Sequence, residues 1–175
     1  MMDINNLFII MSMKCFLIFQ LTTFLHFSNV SSQNVVFHPT KPIVIGILDW
    51  ELSTLGHPLS DIANLCIVYH APDGFLFPSL KDTKFLDSVG LPHEETVIKS
   101  YCDLTGRSYP LRGYNMCVAF AFLRLSVILQ GVAARAKNGT ASHEHAAVFG
   151  SFAGPIAEAG YDIMIKSDGS KRSRL

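Results

Sequence analysis

Residues 34–51 read NVVFHPTKPIVIGILDWE, and this stretch decides the fold. Two short apolar runs, Val35–Phe37 and Ile43–Leu48, flank a Pro-Thr-Lys-Pro segment. Short apolar runs separated by residues that favour turns are typical of a β-hairpin with a longer loop. The stretch therefore predicts two antiparallel strands joined by that loop.

The open end of the predicted hairpin carries polar side chains. Asn34 stands before the first strand, and Asp49 follows the second. A carboxamide and a carboxylate can share a divalent cation, because Mg²⁺ and Ca²⁺ prefer oxygen ligands. A polar residue at each strand end is also common in hairpins that bind nothing, so spacing alone leaves both interpretations open.

The surrounding residues carry a family resemblance. Residues 44–63 read VIGILDWELSTLGHPLSDIA, and the LDWELSTLG core of this segment is specific. Together with Asn34 and the residues after it, the segment resembles the aminoglycoside phosphotransferase (choline kinase-like) family, in particular the kinase-like domains that precede acyl-CoA dehydrogenases. The resemblance runs from about residue 33 to about residue 164. It implies an α+β, mainly helical fold, the C-terminal lobe of a protein kinase-like fold with one β-hairpin.

The resemblance also implies roles for three residues. Asn34 would be the metal ligand of the catalytic loop, and Asp49 the second ligand, as in protein kinases, where an Asn and an Asp hold Mg²⁺. Asp61 would lie in the helix beneath and hold the catalytic loop by hydrogen bonds. Mg²⁺ and ATP are therefore the implied cofactors, and a small-molecule hydroxyl, such as that of a hydroxyacyl-CoA, is the implied acceptor.

The chain departs from the family at the catalytic loop. The family loop reads His-Gly-Asp-Phe-Arg-x-Asp-Asn, which ends at the position of Asn34, so the catalytic Asp falls at Asn29. A carboxamide does not accept the proton of an attacking hydroxyl. The sequence predicts the metal half of a phosphotransferase site without its base.

The N-lobe is the second departure. Neither a Gly-rich phosphate loop nor the strand Lys of an upper lobe precedes the hairpin, and 175 residues are few for two lobes. We therefore expect a partial phosphotransferase C-lobe over residues 33–166, with residues 167–175 as a polar tail. An inactive, pseudokinase-like binding module is the alternative to an enzyme, and an acyl-CoA dehydrogenase domain in a longer product is an implied partner.

Residues 1–32 form a divergent apolar segment that we expect to lie outside the domain. One interpretation is a replacement of the native catalytic loop, as in a truncated transcript. The other is a secretory signal or membrane anchor, with Asn29–Ser31 as a glycosylation sequon. Lys14 interrupts the apolar run, and the chain opens without a positive region, so both features disfavour the second interpretation.

Apolar periodicity predicts four helices downstream. The first spans about residues 58–70, and the second runs from about Pro92 to Thr105. The third spans about residues 114–137 and the fourth about 141–165, where Pro155 kinks the helix or splits it in two. The helix over 114–137 is apolar almost all round, which predicts a core helix. Arg124 interrupts it, which disfavours a membrane span and predicts a carboxylate partner.

Composition narrows the function further. The formal net charge is zero, so no basic field points to nucleic acid. The four cysteines lack CxxC spacing, which favours buried free thiols over a zinc site. His143 and His145 are two residues apart, a spacing that does not chelate on a helix.

The last three residues, Ser173-Arg174-Leu175, resemble a peroxisomal signal. We therefore expect the protein to be located in the peroxisome, or in the mitochondrion as the family resemblance implies. A secreted or membrane-anchored form is the alternative.

Overall fold

The computed structural model describes residues 25–27, 35–41, 43–48, 53–75, 80–141 and 143–172. The predictions for Asn29, Asn34, Asp49 and Ser173–Leu175 lie outside the described residues, as does most of the segment 1–32. The described residues divide into two compact units. The first contains residues up to Cys66 together with Leu80–Gly113, and the second contains Ile67–Ser79 and Tyr114 onwards.

Short strands open the first unit. They are β1 (Leu25–Phe27), β2 (Val35–Phe37), β3 (Val44–Ile47) and β4 (Ser53–Leu55). They form two antiparallel pairs, β2 with β3 and β1 with β4. The predicted hairpin is the β2–β3 pair. The β1–β4 pair is additional, and it joins residues 25–27, from the divergent segment, to the chain that follows the hairpin.

Among the described residues, three α-helices complete the first unit: α1 (Leu59–Cys66), α2 (Thr83–Val89) and α3 (Glu94–Thr105). Helix α1 packs on β1 and on α3, and its apolar residues Leu59, Ile62 and Cys66 are buried as predicted. Helix α3 ends at Gly106, whose φ of 67° is the left-handed conformation that glycine adopts without strain.

Two details of the first unit correct the sequence predictions. The apolar periodicity of α3 predicts that Leu104 lies on its apolar side, but Leu104 is exposed. Helix α2 was not predicted. It begins at Asp82, whose side chain accepts a hydrogen bond from the Lys84 N–H at 2.9 Å, and it ends at Gly90 with a φ of 68°.

The described residues of the second unit form helices joined by turns and loops, with no strand among them. A 3₁₀ turn (Ile67–Tyr69) continues directly from α1, so the predicted helix 58–70 tightens in its last turn. Helix α4 (Tyr114–Lys137) has the predicted bounds and is followed by Gly139 with a φ of 69°. Phe75 is buried and packs edge-to-face on Phe152, with ring centroids 5.2 Å apart.

The C-terminal helical segment divides in two, as predicted, but at a different residue. Helix α5 (Ala146–Ser151) and helix α6 (Ala153–Arg172) separate at Phe152 rather than at Pro155. Pro155 lies in the first turn of α6, where a missing N–H leaves no helical hydrogen bond unmade. Helix α6 continues past Ile165, so its backbone runs into the predicted polar tail.

Helix α4 is the axis of the second unit. Helices α5 and α6 both pack along it. Gly150 of α5 lies directly against Ala133, and Gly160 of α6 lies against Ala119 and Phe122. By length and composition alone, α4 is the one helix in the described ranges that is long and apolar enough to cross a membrane, a test that core helices of soluble proteins also pass.

Candidate functional site

The loop of the β2–β3 hairpin is held by His38. Its N–H donates to the Ile43 carbonyl at 3.0 Å and so closes the loop. The ring Nδ1 accepts hydrogen bonds from the N–H groups of Thr40 at 3.2 Å and Lys41 at 3.1 Å. A side chain that accepts from backbone two and three residues ahead is a common way to fix a turn. This loop defines the closed end of the hairpin.

The register of the pair defines the opposite, open end. Val35 lies opposite Ile47 and Val36 lies opposite Gly46, with an irregularity after Val36. Asn34 immediately precedes one member of the Val35–Ile47 pair in sequence, and Asp49 follows the other by two residues. Along the chain, both candidate metal ligands are therefore within two residues of this described pair. Their roles remain predictions, since both residues lie outside the described ones.

Asp61 is the candidate site residue that the structure describes. It lies in the first turn of α1 and is 1% exposed. His57 starts this helix. Its ring Nδ1 accepts from the Leu59 N–H at 3.3 Å, and its carbonyl accepts from the Ser60 N–H at 3.0 Å. The imidazole thus serves as a helix cap, a position where Asp is among the preferred residues. Helix α1 holds its Asp61 carboxylate inside the first unit.

The surroundings of Asp61 include Tyr101 of α3, which is also 1% exposed. Burial raises the pKa of the Tyr101 phenol, and the negative charge of Asp61 raises that pKa further. The guanidinium of Arg107 opposes this through its charge and its hydrogen bond to the phenol. A buried carboxylate requires partners to offset its lost hydration. The sequence placed Tyr101 only on the apolar side of its helix, and nothing in its spacing linked it to Asp61.

The histidine pair near α5 does not lie on a helix, so the geometric reason given for it was wrong. His143 precedes the helix, and His145 occupies its N-cap. Their ring centroids are 5.5 Å apart, and the His145 N–H donates to the His143 Nδ1 at 3.2 Å. Within the described ranges, no group of three or more His, Cys, Asp or Glu side chains has the arrangement of a metal site.

Three thiols are described, and none of the three forms a disulfide. Cys66 and Cys102 are buried, and Cys117 is half-buried. Burial raises the pKa of Cys102 and of Cys117. Raised thiol pKa values oppose thiolate formation, so neither residue has the environment of a reactive cysteine.

Comparison with known proteins shows what this chain is similar to. Residues 30–87 match the phosphotransferase enzyme family. This segment contains the hairpin, helix α1 with Asp61, and the start of α2. A crystal structure assigned as an aminoglycoside phosphotransferase from Ralstonia eutropha superposes with a TM-score of 0.71 at 38% identity, over 81% of this chain and 42% of that chain.

Two curated relatives are similar over most of the chain. Acyl-CoA dehydrogenase family member 10 of Mus musculus is 38% identical over 149 residues, which is 84% of this chain and 14% of the relative. Acyl-CoA dehydrogenase family member 11 of Homo sapiens is 36% identical over 130 residues, 74% of this chain and 16% of the relative. The chain thus spans a small part of the length of these relatives and less than half of the solved structure.

Proposed function

We propose that this chain, whose residues 30–87 belong to the phosphotransferase enzyme family, is part of a domain that binds Mg·ATP for transfer of a phosphoryl group to a small-molecule hydroxyl. One observation carries the proposal: the hairpin register within the matched segment. Val35 lies opposite Ile47, and in the sequence Asn34 directly precedes Val35 while Asp49 follows Ile47 by two residues. The mainly helical C-lobe fold and the solved phosphotransferase neighbour support it.

The donor set suits magnesium. Asn34 offers an amide oxygen and Asp49 a carboxylate, and Mg²⁺ is typically bound through one or two carboxylates, other oxygens and the phosphates of its substrate. When bound, the ion neutralises charge on the β- and γ-phosphates. Asp61, buried in α1, is the positioning residue of this proposal. Its carboxylate would hold the loop that precedes Asn34 by hydrogen bonds.

Asn29 is the reason to distinguish nucleotide binding from catalysis in this chain. It occupies the position of the family's base, and its carboxamide does not accept the proton of the attacking hydroxyl. We therefore propose a nucleotide-binding module that does not transfer phosphate in this form, comparable to a pseudokinase. The acceptor class of an active form would be a hydroxyacyl-CoA, since the relatives are named acyl-CoA dehydrogenases.

A thermal-shift titration tests the binding half. A ligand present at about 100 times its Kd adds about 2.7 kcal/mol to the free energy of unfolding, which corresponds to roughly 5–10 °C in Tm for a chain of this size. We expect Mg·ATP to raise the Tm of the unmutated chain, and Asp49→Ala to abolish that rise. Asp162→Ala, at an exposed position of α6, is the matched control and keeps the full shift. An unmutated chain without any shift would sink the proposal.

A transfer assay tests the catalytic half. Radiolabelled ATP, Mg²⁺ and a 3-hydroxyacyl-CoA are incubated with the unmutated chain. We expect no labelled acyl-CoA, because Asn29 lacks a basic oxygen of the required strength. Labelled product that disappears in Asp49→Ala would show an active enzyme and would contradict the assignment of the base to position 29.

Peroxisomal targeting through Ser173-Arg174-Leu175 is a separate proposal, supported by the resemblance of these residues to a known signal. A fluorescent protein fused ahead of Met1 should colocalise with a peroxisomal marker, and deletion of Leu175 should disperse it. A diffuse distribution of the undeleted fusion would reject this targeting.

A further inference from the structure

Helix α4 presents two opposite apolar sides, of which one is not covered. Val118 and Phe122 are 0% exposed, whereas Phe120 is 61% and Leu123 56% exposed. The exposed residues Met116, Phe120, Leu123 and Val127 recur at intervals of four, three and four, which places them on one face of the helix. This arrangement departs from the predicted core helix, because only one side of α4 is in a core.

Helix α6 extends the same exposed surface. It lies along α4, and a groove of about 340 Å³ runs between them, bordered by Phe120 and Leu123 of α4 and by Tyr161 and Met164 of α6. Tyr161 is 60% and Ile165 49% exposed. We call Met116, Phe120, Leu123, Val127, Tyr161 and Ile165 the α4–α6 patch.

The patch is large for a monomer. Its six residues are 49–61% exposed. At about 200 Å² for a fully exposed large apolar residue, they present roughly 600 Å². The largest apolar patch of a typical monomer is about 300–600 Å² and is often functional. This patch reaches the top of that range, which favours an interaction site.

We infer that the α4–α6 patch is a self-association surface that binds a second copy of this chain about a twofold axis. Two copies joined through the patch would bury roughly 1,200 Å², which reaches the lower limit of specific, stable interfaces. The groove and the patch contain no charged side chain. Two copies of this surface can therefore face each other without repulsion between like charges of the patch.

Shape also favours a twofold pairing. In an isologous interface each copy offers the same surface, so a projecting group of one copy must fill a recess of the other. The patch has both features, since Phe120 and Tyr161 project at the borders of an apolar groove. Phe120 of one copy fills the groove of the other, and its own groove is filled in return.

Sedimentation equilibrium of the full 175-residue chain tests the inference. We expect a species of twice the 19.3 kDa chain mass at micromolar concentration. Leu123→Lys places a charge in the patch, and it should shift the sample to monomer with a loss of at least tenfold in association. Val148→Lys is the matched control: Val148 is 59% exposed on α5, outside the patch, and its substitution should leave the dimer intact.

Each other outcome overturns the inference. A monomer at all concentrations, or a dimer that Leu123→Lys leaves unchanged, excludes this surface as the interface. A monomer that floats with phosphatidylcholine vesicles, and no longer does so after Leu123→Lys, identifies a lipid surface as the occupant instead. If Leu123→Lys loses helical circular dichroism, Phe120→Ser repeats the test at a position that is 61% exposed.

Discussion

Helices α1 and α4 are both apolar in sequence, but they differ in how much of their apolar surface is buried. The apolar residues of α1 lie against β1 and α3, with Leu59 at 3% and Ile62 at 0% exposure. Helices α5 and α6 cover one face of α4, whereas Phe120 and Leu123 of α4 are more than half exposed. Apolar composition predicted a helix in both places. It did not reveal which faces find a neighbour.

The difference separates two kinds of apolar residue. Those of α1 stabilise the unit that positions Asp61, so they support the candidate site. Those on the exposed face of α4 are more than half exposed, so they contribute much less to the folding of the second unit. Substitutions that distinguish these faces therefore test the account, and they are given from the largest expected effect to the smallest.

The two faces of α4 should differ most in a pair of truncations. Phe122→Ala removes a ring that is 0% exposed, and it should cost about 3–5 kcal/mol in the free energy of unfolding. Phe120→Ala removes a ring that is 61% exposed, and it should cost well under about 1 kcal/mol in the monomer. Urea unfolding at low protein concentration measures both. Equal losses would remove the distinction between the faces.

The contact between α4 and α6 should be sensitive to one methyl group. A Cβ on Gly160 would lie 2.7 Å from the Phe122 Cβ and 3.2 Å from the Ala119 carbonyl oxygen. Gly160→Ala should therefore destabilise the chain by about 1–3 kcal/mol.

Gly154→Ala is the matched control for that contact. A Cβ there meets nothing within 4 Å, and alanine favours a helix over glycine by up to about 1 kcal/mol. The thermal midpoints of the two variants should move in opposite directions. A Gly160→Ala variant as stable as the parent would show that the two helices are less closely packed than described.

The free energy of unfolding should depend on which side chain caps the start of α1. His57→Ala removes the ring that accepts from the Leu59 N–H, and it should cost roughly 0.5–1 kcal/mol. His57→Asp should restore or exceed the parent stability, because a carboxylate caps the helix and suits its dipole. Chemical unfolding of both variants gives the comparison. A neutral His57→Ala would show that the imidazole does not act as a cap.

The smallest effect is a pH dependence. Burial, and secondarily the charge of Asp103, raise the pKa of Cys102 above its ordinary value of 9.0. The folded chain thus keeps a proton that the unfolded chain releases, so the free energy of unfolding falls as pH rises from about 9 through the folded pKa. Cys102→Ala should make this decline shallower in urea unfolding between pH 8 and pH 10. If the free energy of unfolding fell equally with pH in the variant and the parent, the assigned role of Cys102 would be contradicted.

Much of the fold was predictable because its signals are local. The bounds of α4 followed from an apolar run that ends before Asn138-Gly139, and the hairpin followed from two apolar runs around a Pro-containing turn. Helix α2 had equally local signals in Asp82 and Gly90, but its seven residues bury only Leu86, too few to show a period. It was missed for that reason.

The tertiary features were not accessible from one sequence. The charge of Asp61 affects the pKa of Tyr101 because α3 packs on α1, and no spacing along the chain encodes that proximity. The exposed face of α4 likewise depends on which neighbouring helices cover that helix. Of the candidate site, the burial of Asp61 and the register beside Asn34 and Asp49 are established, while metal binding itself remains a prediction.

Paramagnetic broadening by Mn²⁺, which takes the oxygen ligands of Mg²⁺, tests the metal site most directly. With a substoichiometric amount of the ion, we expect the amide signals of Val35, Val36 and Leu48 to broaden first, because these residues adjoin Asn34 and Asp49. Asp49→Ala should abolish that broadening. Broadening that instead begins at His143–His145, or that persists at the hairpin in Asp49→Ala, would contradict the proposed site.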